Sequence, residues 1–223
     1  MNQAFRAGLK SGSTVVPTFI AIFTGVGIAA AVVGMPALTT LLSTWTIFAA
    51  PAQFAMIDIA HQSSVVLQII TVGILVNLRF FVMSLTLVAL FPPLPRRRLA
   101  LWAQLVSASS YLITFFHSRR APREELFDFY RGVVVMSFPA AVIGTALGIW
   151  FGSGLPALFT FGAALFLPIY FSLLLSSEVR RRREITAVTL GFIATPPLEL
   201  LLPGWGLFIA AIAAGLVVGR LRE

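Results

Sequence analysis

Long apolar runs dominate this sequence, separated by short clusters of arginine, proline and glycine. These clusters divide the chain into about seven to eight apolar segments, at 14–34, 37–57, 64–91, 99–117, 132–151, 155–175, 185–202 and 205–220. Most have the length, about 20 residues, that crosses a bilayer as a helix. Strand-like alternation is absent, and only helices or closed barrels satisfy their backbone in lipid. The pattern therefore predicts an all-α, polytopic membrane helix bundle.

The composition supports a membrane protein and excludes a soluble protein that binds nucleic acid. Hydrophobic residues make up 58% of the chain and charged residues 11%, with a mean hydropathy of +0.95, which is far more apolar than a soluble domain. A net charge of +8 would suggest nucleic acid in a soluble protein. Here the basic residues lie in short loops between apolar runs, where orientation signals belong. We therefore expect a single transmembrane domain over residues 1–223 and no nucleic-acid partner.

The basic loops predict an orientation. Twelve lysine and arginine residues fall in the stretches that the positive-inside rule makes cytoplasmic, at 1–13, 118–131, 178–184 and 220–223. We expect a multi-pass protein of the cytoplasmic (inner) membrane with both termini in the cytoplasm. The arginine-rich loops are expected to touch anionic lipid headgroups.

Three arginines do not fit this orientation if all eight segments span. Arg96, Arg97 and Arg98 would then lie on the opposite side. The misfit disappears if segments 37–57 and 99–117 are both re-entrant, that is, enter and leave on one side. It also disappears if segment 64–91 is broken near Asn77 into two half-helices. The sequence leaves both alternatives open.

Two stretches about 120 residues apart resemble each other. Gly27-Ile28 precedes Gly34-Met35-Pro36-Ala37-Leu38, and Gly148-Ile149 precedes Gly154-Leu155-Pro156-Ala157-Leu158. Many secondary transporters consist of repeated halves with the site at the repeat interface. We therefore predict internal repeats over 14–117 and 132–220, the alternative being a chance recurrence of Gly and Pro at helix ends.

Arg79 is the one charged residue between Ser64 and Phe91, and Asn77 lies just before it. A guanidinium inside a bilayer costs several kcal/mol by insertion scales, so it should face a protein interior or a wet cavity and pair there. We interpret Arg79 and Asn77 as part of a binding site. One alternative is that the Arg79 side chain extends to the membrane interface, where its charge reaches water. The other is that Arg79 holds two helices together.

The run Phe48-Ala49-Ala50-Pro51-Ala52-Gln53-Phe54 is the second candidate. Pro51 lacks an N–H donor and opposes the carbonyl four residues earlier, so we predict that segment 37–57 is kinked or unwound near Pro51. Freed polar backbone is tolerated at membrane depth where it lines a cavity, and the Gln53 amide can donate and accept there. The alternative is a proline kink in which Gln53 holds two helices together.

These residues resemble a known family. A Phe-Ala-small-x-Ala-Gln-Phe run, followed about two dozen residues later by Asn77-Leu78-Arg79 and Ser84-Leu85, is similar to the AzlC family. The glycine-rich first segment and the stretch Leu202-Pro203-Gly204-Trp205 also fit. The resemblance implies the large subunit of a branched-chain amino acid exporter that works with a small AzlD-like membrane subunit.

The chain departs from the family pattern in three places. Ser107-Ala108-Ser109-Ser110-Tyr111 contains no carboxylate where the family usually has an acidic turn. Ala50 stands where family members usually have glycine, and segment 155–175 is fully apolar where an acidic residue is common. The chain is therefore expected to be a divergent member.

The resemblance and the residues together imply how a small amino acid would bind. Arg79 would clamp the carboxylate with its planar pair of donors. Asn77, Gln53 and the carbonyls freed by Pro51 would hold the ammonium. Four aromatic side chains would surround an apolar tail, namely Phe48, Phe54, Phe80 and Phe81.

Export against a gradient needs an ion, and proton coupling needs a titratable group. Asp58 and Glu199 lie near apolar segments rather than among arginines, so they are the ion-coupling candidates. Glu199 is also the candidate that neutralises Arg79. His61 and His117 are interpreted as interfacial residues.

The residue types and motifs of the chain also disfavour an enzyme. The chain has no cysteine and two histidines, and it lacks His-Glu-x-x-His and Gly-x-Ser-x-Gly patterns, so we expect no enzyme, no metal and no cofactor. The resemblance to the AzlC family implies instead an ion-coupled secondary transporter that exports small amino acids, namely leucine, isoleucine, valine or methionine. The alternative is a channel or a structural membrane subunit without a substrate site of its own.

Overall fold

The fold is all α-helical over the residues that the structure describes, which confirms the predicted class. The computed structural model describes residues 2–62, 66–152, 182–202 and 205–220, with Gly154, Ser172 and Val179. Most of segment 155–175 and the Pro203-Gly204 dipeptide lie outside the described residues. The chain forms two compact units, residues 1–165 and 166–223.

The described part of the first unit contains eight helices. They are α1 (Gln3–Ser13), α2 (Val16–Val32), α3 (Ala37–Ile47), α4 (Ala50–Gln62), α5 (Val66–Leu90), α6 (Arg96–Ala103), α7 (Ala108–Ser118) and α8 (Arg123–Gly152). The described part of the second unit contains α9 (Arg182–Leu201) and α10 (Gly206–Arg220). In the second unit α9 ends in a turn in which the Leu202 amide donates to the Leu198 carbonyl at 2.8 Å.

Within the described residues, three helices are long and apolar enough to cross a membrane, namely α5 over Ile69–Leu90, α8 and α9. A fourth candidate is the pair α1–α2, which is bent by 55° at the break between its two helices. Helix α8 has 30 residues and is therefore about 45 Å long, more than the hydrocarbon core of a bilayer.

Glycines bring the first two helices into backbone contact with α8. A Cβ atom on Gly27 would lie 2.8 Å from the Gly148 Cα, and a Cβ atom on Gly148 would lie 2.8 Å from the Gly27 Cα. Towards the start of both elements, Gly8 lies against Phe129 and Gly132. Since contacts rise in residue number on both sides, α1–α2 and α8 run parallel. Small residues allow this close approach, which favours helix association in lipid.

The contact between α2 and α8 is reciprocal. A Cβ atom on Gly27 would meet Thr145, Gly148 and Ile149 of α8. A Cβ atom on Gly148 would meet the residues 121 positions earlier in the chain, namely Thr24, Gly27 and Ile28 of α2. Two parallel repeats related by an axis along the helices would make such a contact. The repeat boundaries 14–117 and 132–220 stay a prediction.

One end of the first unit gathers basic side chains, and we call it the basic end. Three contacts define it: Asn2 Nδ2 to Asp128 Oδ2 at 3.0 Å, Arg98 Cζ to the Phe127 ring centroid at 4.9 Å, and Arg123 Nε to the Phe91 carbonyl at 2.9 Å. The start of α1, the end of α5, the start of α6 and the start of α8 therefore lie together. The other end of this unit, where α2 and α8 finish, is called the far end.

Segment 37–57 is a helical hairpin, the first hairpin, rather than one helix. Helix α3 ends before Phe48, which adopts a left-handed φ of 43°, and α4 begins at Ala50. The prediction of a break near Pro51 is confirmed, with Pro51 in the first turn of α4, where its missing N–H is tolerated. The Gln53 side chain contacts Ser43, although ten residues span about 15 Å in a straight helix. The two arms therefore fold back on each other.

Segment 99–117 contributes a second hairpin, built from α6 and α7. The break spans residues 104–107, and a capping box between Ser107 and Ser110 starts α7. Arg98 near the start of α6 and His117 near the end of α7 both contact α8 close to its start, the His117 ring stacking 3.7 Å from the Phe129 ring. The second hairpin therefore enters from the basic end and returns to it.

These hairpins account for the three arginines that fitted the orientation poorly. Both broken segments turn back on themselves, as the re-entrant alternative requires, and Arg96–Arg98 join the other basic residues at the basic end. Helix α5 is continuous from Val66 to Leu90, so the alternative in which it breaks near Asn77 is wrong.

Replacing Gly27 with alanine is expected to destabilise the protein, because its Cβ would overlap the backbone of α8. Overpacking of this kind lowers the free energy of unfolding by about 1–3 kcal/mol. Thermal unfolding of purified protein in detergent measures the effect. Gly215→Ala is the matched control, since nothing lies within 4 Å of the added carbon. Equal melting temperatures for the two variants would contradict the contact.

The shared basic end predicts membrane sidedness. Arg97→Cys and Arg120→Cys, made separately in this cysteine-free chain, should react with an impermeant thiol reagent from the same side. Thr39→Cys, at the start of α3 and exposed, should react from the opposite side. If Arg97→Cys reacts from the same side as Thr39→Cys, and not from the side of Arg120→Cys, then the second hairpin does not begin at the basic end.

Candidate functional site

A cavity of about 440 Å³ lies where the tips of the two hairpins meet α5. We call it the tip cavity. Its walls are the end of α3 with Thr46 and Ile47, one face of α5, and the break of the second hairpin with Gln104 and Val106. This volume lies within the range of small-molecule sites, which is roughly 300–1,000 Å³.

One hydrogen bond joins the two hairpin tips across the cavity wall. The Gln104 side chain donates from Nε2 to the Thr46 carbonyl at 2.7 Å. Thr46 lies in the last turn of α3, where carbonyls have no partner within the helix. Interrupted helices at membrane depth expose such backbone groups where they line a cavity, and transporters use them as binding groups.

The polar side chains of the tip cavity are neutral. None of the twelve described residues that line it carries a charge. Asn77 donates from Nδ2 to the Gly73 carbonyl of its own helix at 2.7 Å, and Ser84 donates from Oγ to the Ala103 carbonyl of α6 at 3.1 Å. The Asn77 amide oxygen and the Gln104 amide therefore provide polarity without net charge.

The remaining wall residues are apolar, and their side chains are large on one side of the cavity and small on the other. Phe80, Phe81 and Leu85 line the α5 side, whereas Ala100 and Ala103 line the α6 side. Phe81 is 60% exposed, so the tip cavity opens on the outer face of α5. An aliphatic group placed here would lie between aromatic rings and small side chains.

Arg79 does not line the tip cavity. Its guanidinium lies 4.7 Å from the ring centroid of Phe80, which does line it, and Arg79 itself is exposed. Because α5 is continuous, Asn77 and Arg79 are about 200° apart around the helix and face different directions. The exposure of Arg79 differs from the expectation that it lies in the protein interior, and its role in a substrate site stays a prediction.

Gln53 is buried, with 1% exposure, at the centre of the first hairpin. Its Nε2 donates to Ser43 Oγ at 2.8 Å and Thr44 Oγ1 at 2.9 Å, and Thr44 Oγ1 lies 3.0 Å from Thr145 Oγ1 on α8. The Gln53 amide oxygen has no hydrogen-bond partner among the described residues. Gln53 thus holds the two arms of the first hairpin together, which is the alternative that the sequence left open. It does not line the tip cavity.

The other predicted residues of this hairpin also lie outside the tip cavity. Phe54 is half-buried and packs with Phe48 in the core formed by α2, the first hairpin and α8. Pro51 is half-buried at the start of α4. Of the four phenylalanines expected to surround a substrate tail, the tip cavity includes Phe80 and Phe81.

The two ion-coupling candidates lie in different units. Asp58 is exposed on α4, and Glu199 is half-buried on α9 of the second unit. The pairing of Glu199 with Arg79 stays a prediction. Within the described residues, no group of three or more His, Cys, Asp or Glu side chains is placed to hold a metal ion.

Sequence reasoning did not single out Gln104 or Thr46. Gln104 is an amide inside a charge-free apolar segment, the same signal that identified Gln53. Thr46 contributes its backbone carbonyl, which every residue has, so its role depends on where α3 ends.

Comparison with known proteins gave two matches. The family model described as AzlC protein matches residues 14–155, a range that includes both hairpins and α5. An uncharacterized membrane protein of Archaeoglobus fulgidus is 30% identical over 218 residues, which cover 96% of this chain and 94% of that protein. No solved structure gave a significant match.

Replacing Gln53 with leucine is expected to lower the stability of the first hairpin. The hydroxyls of Ser43 and Thr44 would lose their shared donor inside the protein, which costs about 1–3 kcal/mol of unfolding free energy. Thermal unfolding in detergent is the measurement. Gln3→Leu, at an exposed position of α1, is the control and should change little. A Gln53→Leu protein as stable as this control would exclude the clamp.

Proposed function

The chain belongs to the AzlC family and is a multi-pass membrane protein, and from this membership and the tip cavity we propose that it is a secondary transporter of small amino acids. The proposed substrates are branched-chain leucine, isoleucine and valine, and also methionine. The proposed direction is export across the cytoplasmic membrane. The basic end would face the cytoplasm by the positive-inside rule, with anionic lipids at its arginines.

The observation that carries this proposal is that the tip cavity is neutral and mostly apolar, with a few polar groups. A zwitterionic amino acid has no net charge, so it needs no unpaired charged side chain from the protein. Its aliphatic tail matches the wall of Phe80, Phe81, Ala100 and Ala103, and its polar head matches the amides and carbonyls at the hairpin tips. Transporter sites lie in comparable positions, at interrupted helices near the membrane midplane.

The opposed hairpins support alternating access to this cavity. The first hairpin enters from the far end and the second from the basic end, so each separates the cavity from one side. Movement of one hairpin at a time would open the cavity to one side at a time. A channel, the alternative function, would require both paths to open together.

The exposed face of α5 supports a partner. Family membership is the ground for it, because the resemblance to AzlC implies a small second subunit, and Leu78, Phe81 and Val82 on this face are 50%, 60% and 62% exposed. We propose that a small AzlD-like membrane subunit covers this face. In the assembled transporter Arg79 would bind the carboxylate of the arriving substrate with its planar pair of donors, at the mouth of the tip cavity beside Phe80, before the substrate enters the cavity. Coupling to an ion through Asp58 or Glu199 remains part of the proposal.

An efflux experiment tests the function. Cells that express the chain together with an AzlD-like small membrane protein are loaded with labelled leucine, and its release is followed with and without a second, external amino acid. We expect saturable efflux and acceleration by external valine, because a carrier exchanges substrates. Release that does not saturate would indicate a channel, and no release of any of the four amino acids would overturn the substrate assignment.

Substitution of Arg79 tests its proposed role in the same efflux assay. Arg79→Ala should lower the leucine efflux rate about tenfold, and Arg79→Lys should not restore it, because lysine lacks the planar pair of donors that binds a carboxylate. Arg97→Lys, at the exposed basic end, is the matched control and should export as the wild type does. Full activity of Arg79→Lys would show that only the charge matters.

A further inference from the structure

The bond between the hairpin tips pairs one donor with one acceptor, and an α-amino acid carries the complementary pair. Gln104 Nε2 donates to the Thr46 carbonyl at 2.7 Å, and both residues line the tip cavity. We propose that the substrate's head group inserts into this hydrogen bond. Its ammonium donates to the Thr46 carbonyl, and its carboxylate accepts from Gln104 Nε2. This inference rests on the proposed function and adds the two groups that recognise the substrate.

The Thr46 carbonyl suits an ammonium group for two reasons. It belongs to the last turn of α3, where the carbonyls lack helical partners and the helix dipole is negative. The Thr46 hydroxyl is directed elsewhere, since its Oγ1 donates to the Leu42 carbonyl at 2.8 Å. The backbone oxygen is therefore the group that Thr46 presents at the tip, where it accepts the hydrogen bond from Gln104.

Gln104 suits a carboxylate because its amide nitrogen carries two N–H donors. Its backbone caps the end of α6, while its side chain is exposed in the opening between the tips. The side chain can therefore turn from one acceptor to another without moving a helix. Hydrogen bonds to a carboxylate or from an ammonium are stronger than a bond between an amide and a carbonyl. Replacing one neutral bond with two charge-assisted bonds favours the bound state.

The other polar groups of the tip cavity are less suited to exchange. Asn77 Nδ2 is bound within its own helix, and Ser84 Oγ ties α5 to the Ala103 carbonyl. Neither of these two bonds joins one hairpin to the other. Insertion at the bond between Gln104 and Thr46 separates the tips, so substrate binding is linked directly to hairpin movement.

Binding of three related molecules to the purified full-length protein tests this assignment. Leucine has both head groups, leucinamide lacks the carboxylate, and 4-methylpentanoate lacks the ammonium. At a pH where the amine of leucinamide is protonated, we expect the wild type to bind leucine roughly tenfold more tightly than either analogue, since each analogue loses one charge-assisted bond.

Gln104→Glu gives the decisive readout. Glutamate has nearly the same shape but replaces the donor with a carboxylate, which repels the substrate carboxylate. We expect the preference to reverse, so that leucinamide binds more tightly than leucine, while 4-methylpentanoate stays weak. If the variant were merely unfolded, all three ligands would bind more weakly. Unfolding cannot reverse the order of their affinities. Gln3→Glu, an exposed amide at the basic end, is the control and should keep the wild-type order.

Gln104→Ala separates the two halves of the site. The difference between leucine and leucinamide should fall below about twofold, because the donor that reads the carboxylate is gone. The preference for leucine over 4-methylpentanoate should remain, since the Thr46 carbonyl is still present. Together, the two variants test whether Gln104 binds the substrate carboxylate and the Thr46 carbonyl binds the substrate ammonium.

Two outcomes would overturn the inference in distinguishable ways. If the wild type discriminates among the three molecules and both Gln104 variants keep the wild-type order, the head group binds elsewhere and the transport function stands. If the wild type neither binds nor exports any amino acid, the proposed function fails and the inference fails with it.

Discussion

The first unit depends on the backbone contact between α8 and the pair α1–α2. Glycines at this contact leave no room for a Cβ, so the helices approach as closely as their backbones allow. Helix α8 then holds both hairpins: Thr145 bonds to Thr44 of the first, and the Tyr130 hydroxyl donates to the Trp102 carbonyl of the second at 2.7 Å. The cavity between the hairpin tips exists because one helix fixes both of them.

A second constraint is that polar backbone cannot remain unsatisfied at membrane depth. Each hairpin has a break, and side chains satisfy the groups that the break exposes. Ser107 and Ser110 cap the start of α7, and Gln104 caps a carbonyl at the end of α3. The last of these bonds crosses from one hairpin to the other and faces a cavity. The requirement that makes the breaks tolerable thus also places polar groups in the wall of the tip cavity.

The region around α5 shows how helix continuity changes the interpretation of a motif. Asn77 and Arg79 are two positions apart in the sequence, but on a continuous helix they point in different directions, and Asn77 lines the tip cavity whereas Arg79 does not. Arg79 meets the cavity wall at the ring of Phe80, 4.7 Å from its guanidinium. Arg79 therefore lies on the exposed side of α5, and the cavity wall is formed by its neighbours Phe80 and Phe81.

The sequence by itself determined the membrane class, the break next to Pro51 and the family, because each follows from local composition, a missing N–H donor or a short motif. Tertiary structure decided that the broken segments fold back, that their tips meet, and that Gln104 rather than Gln53 lines the cavity. Both glutamines lie in apolar segments and look alike in the sequence. Which of them reaches a cavity depends on packing against α8 and α5, distant in the chain, and local periodicity carries no information about such partners.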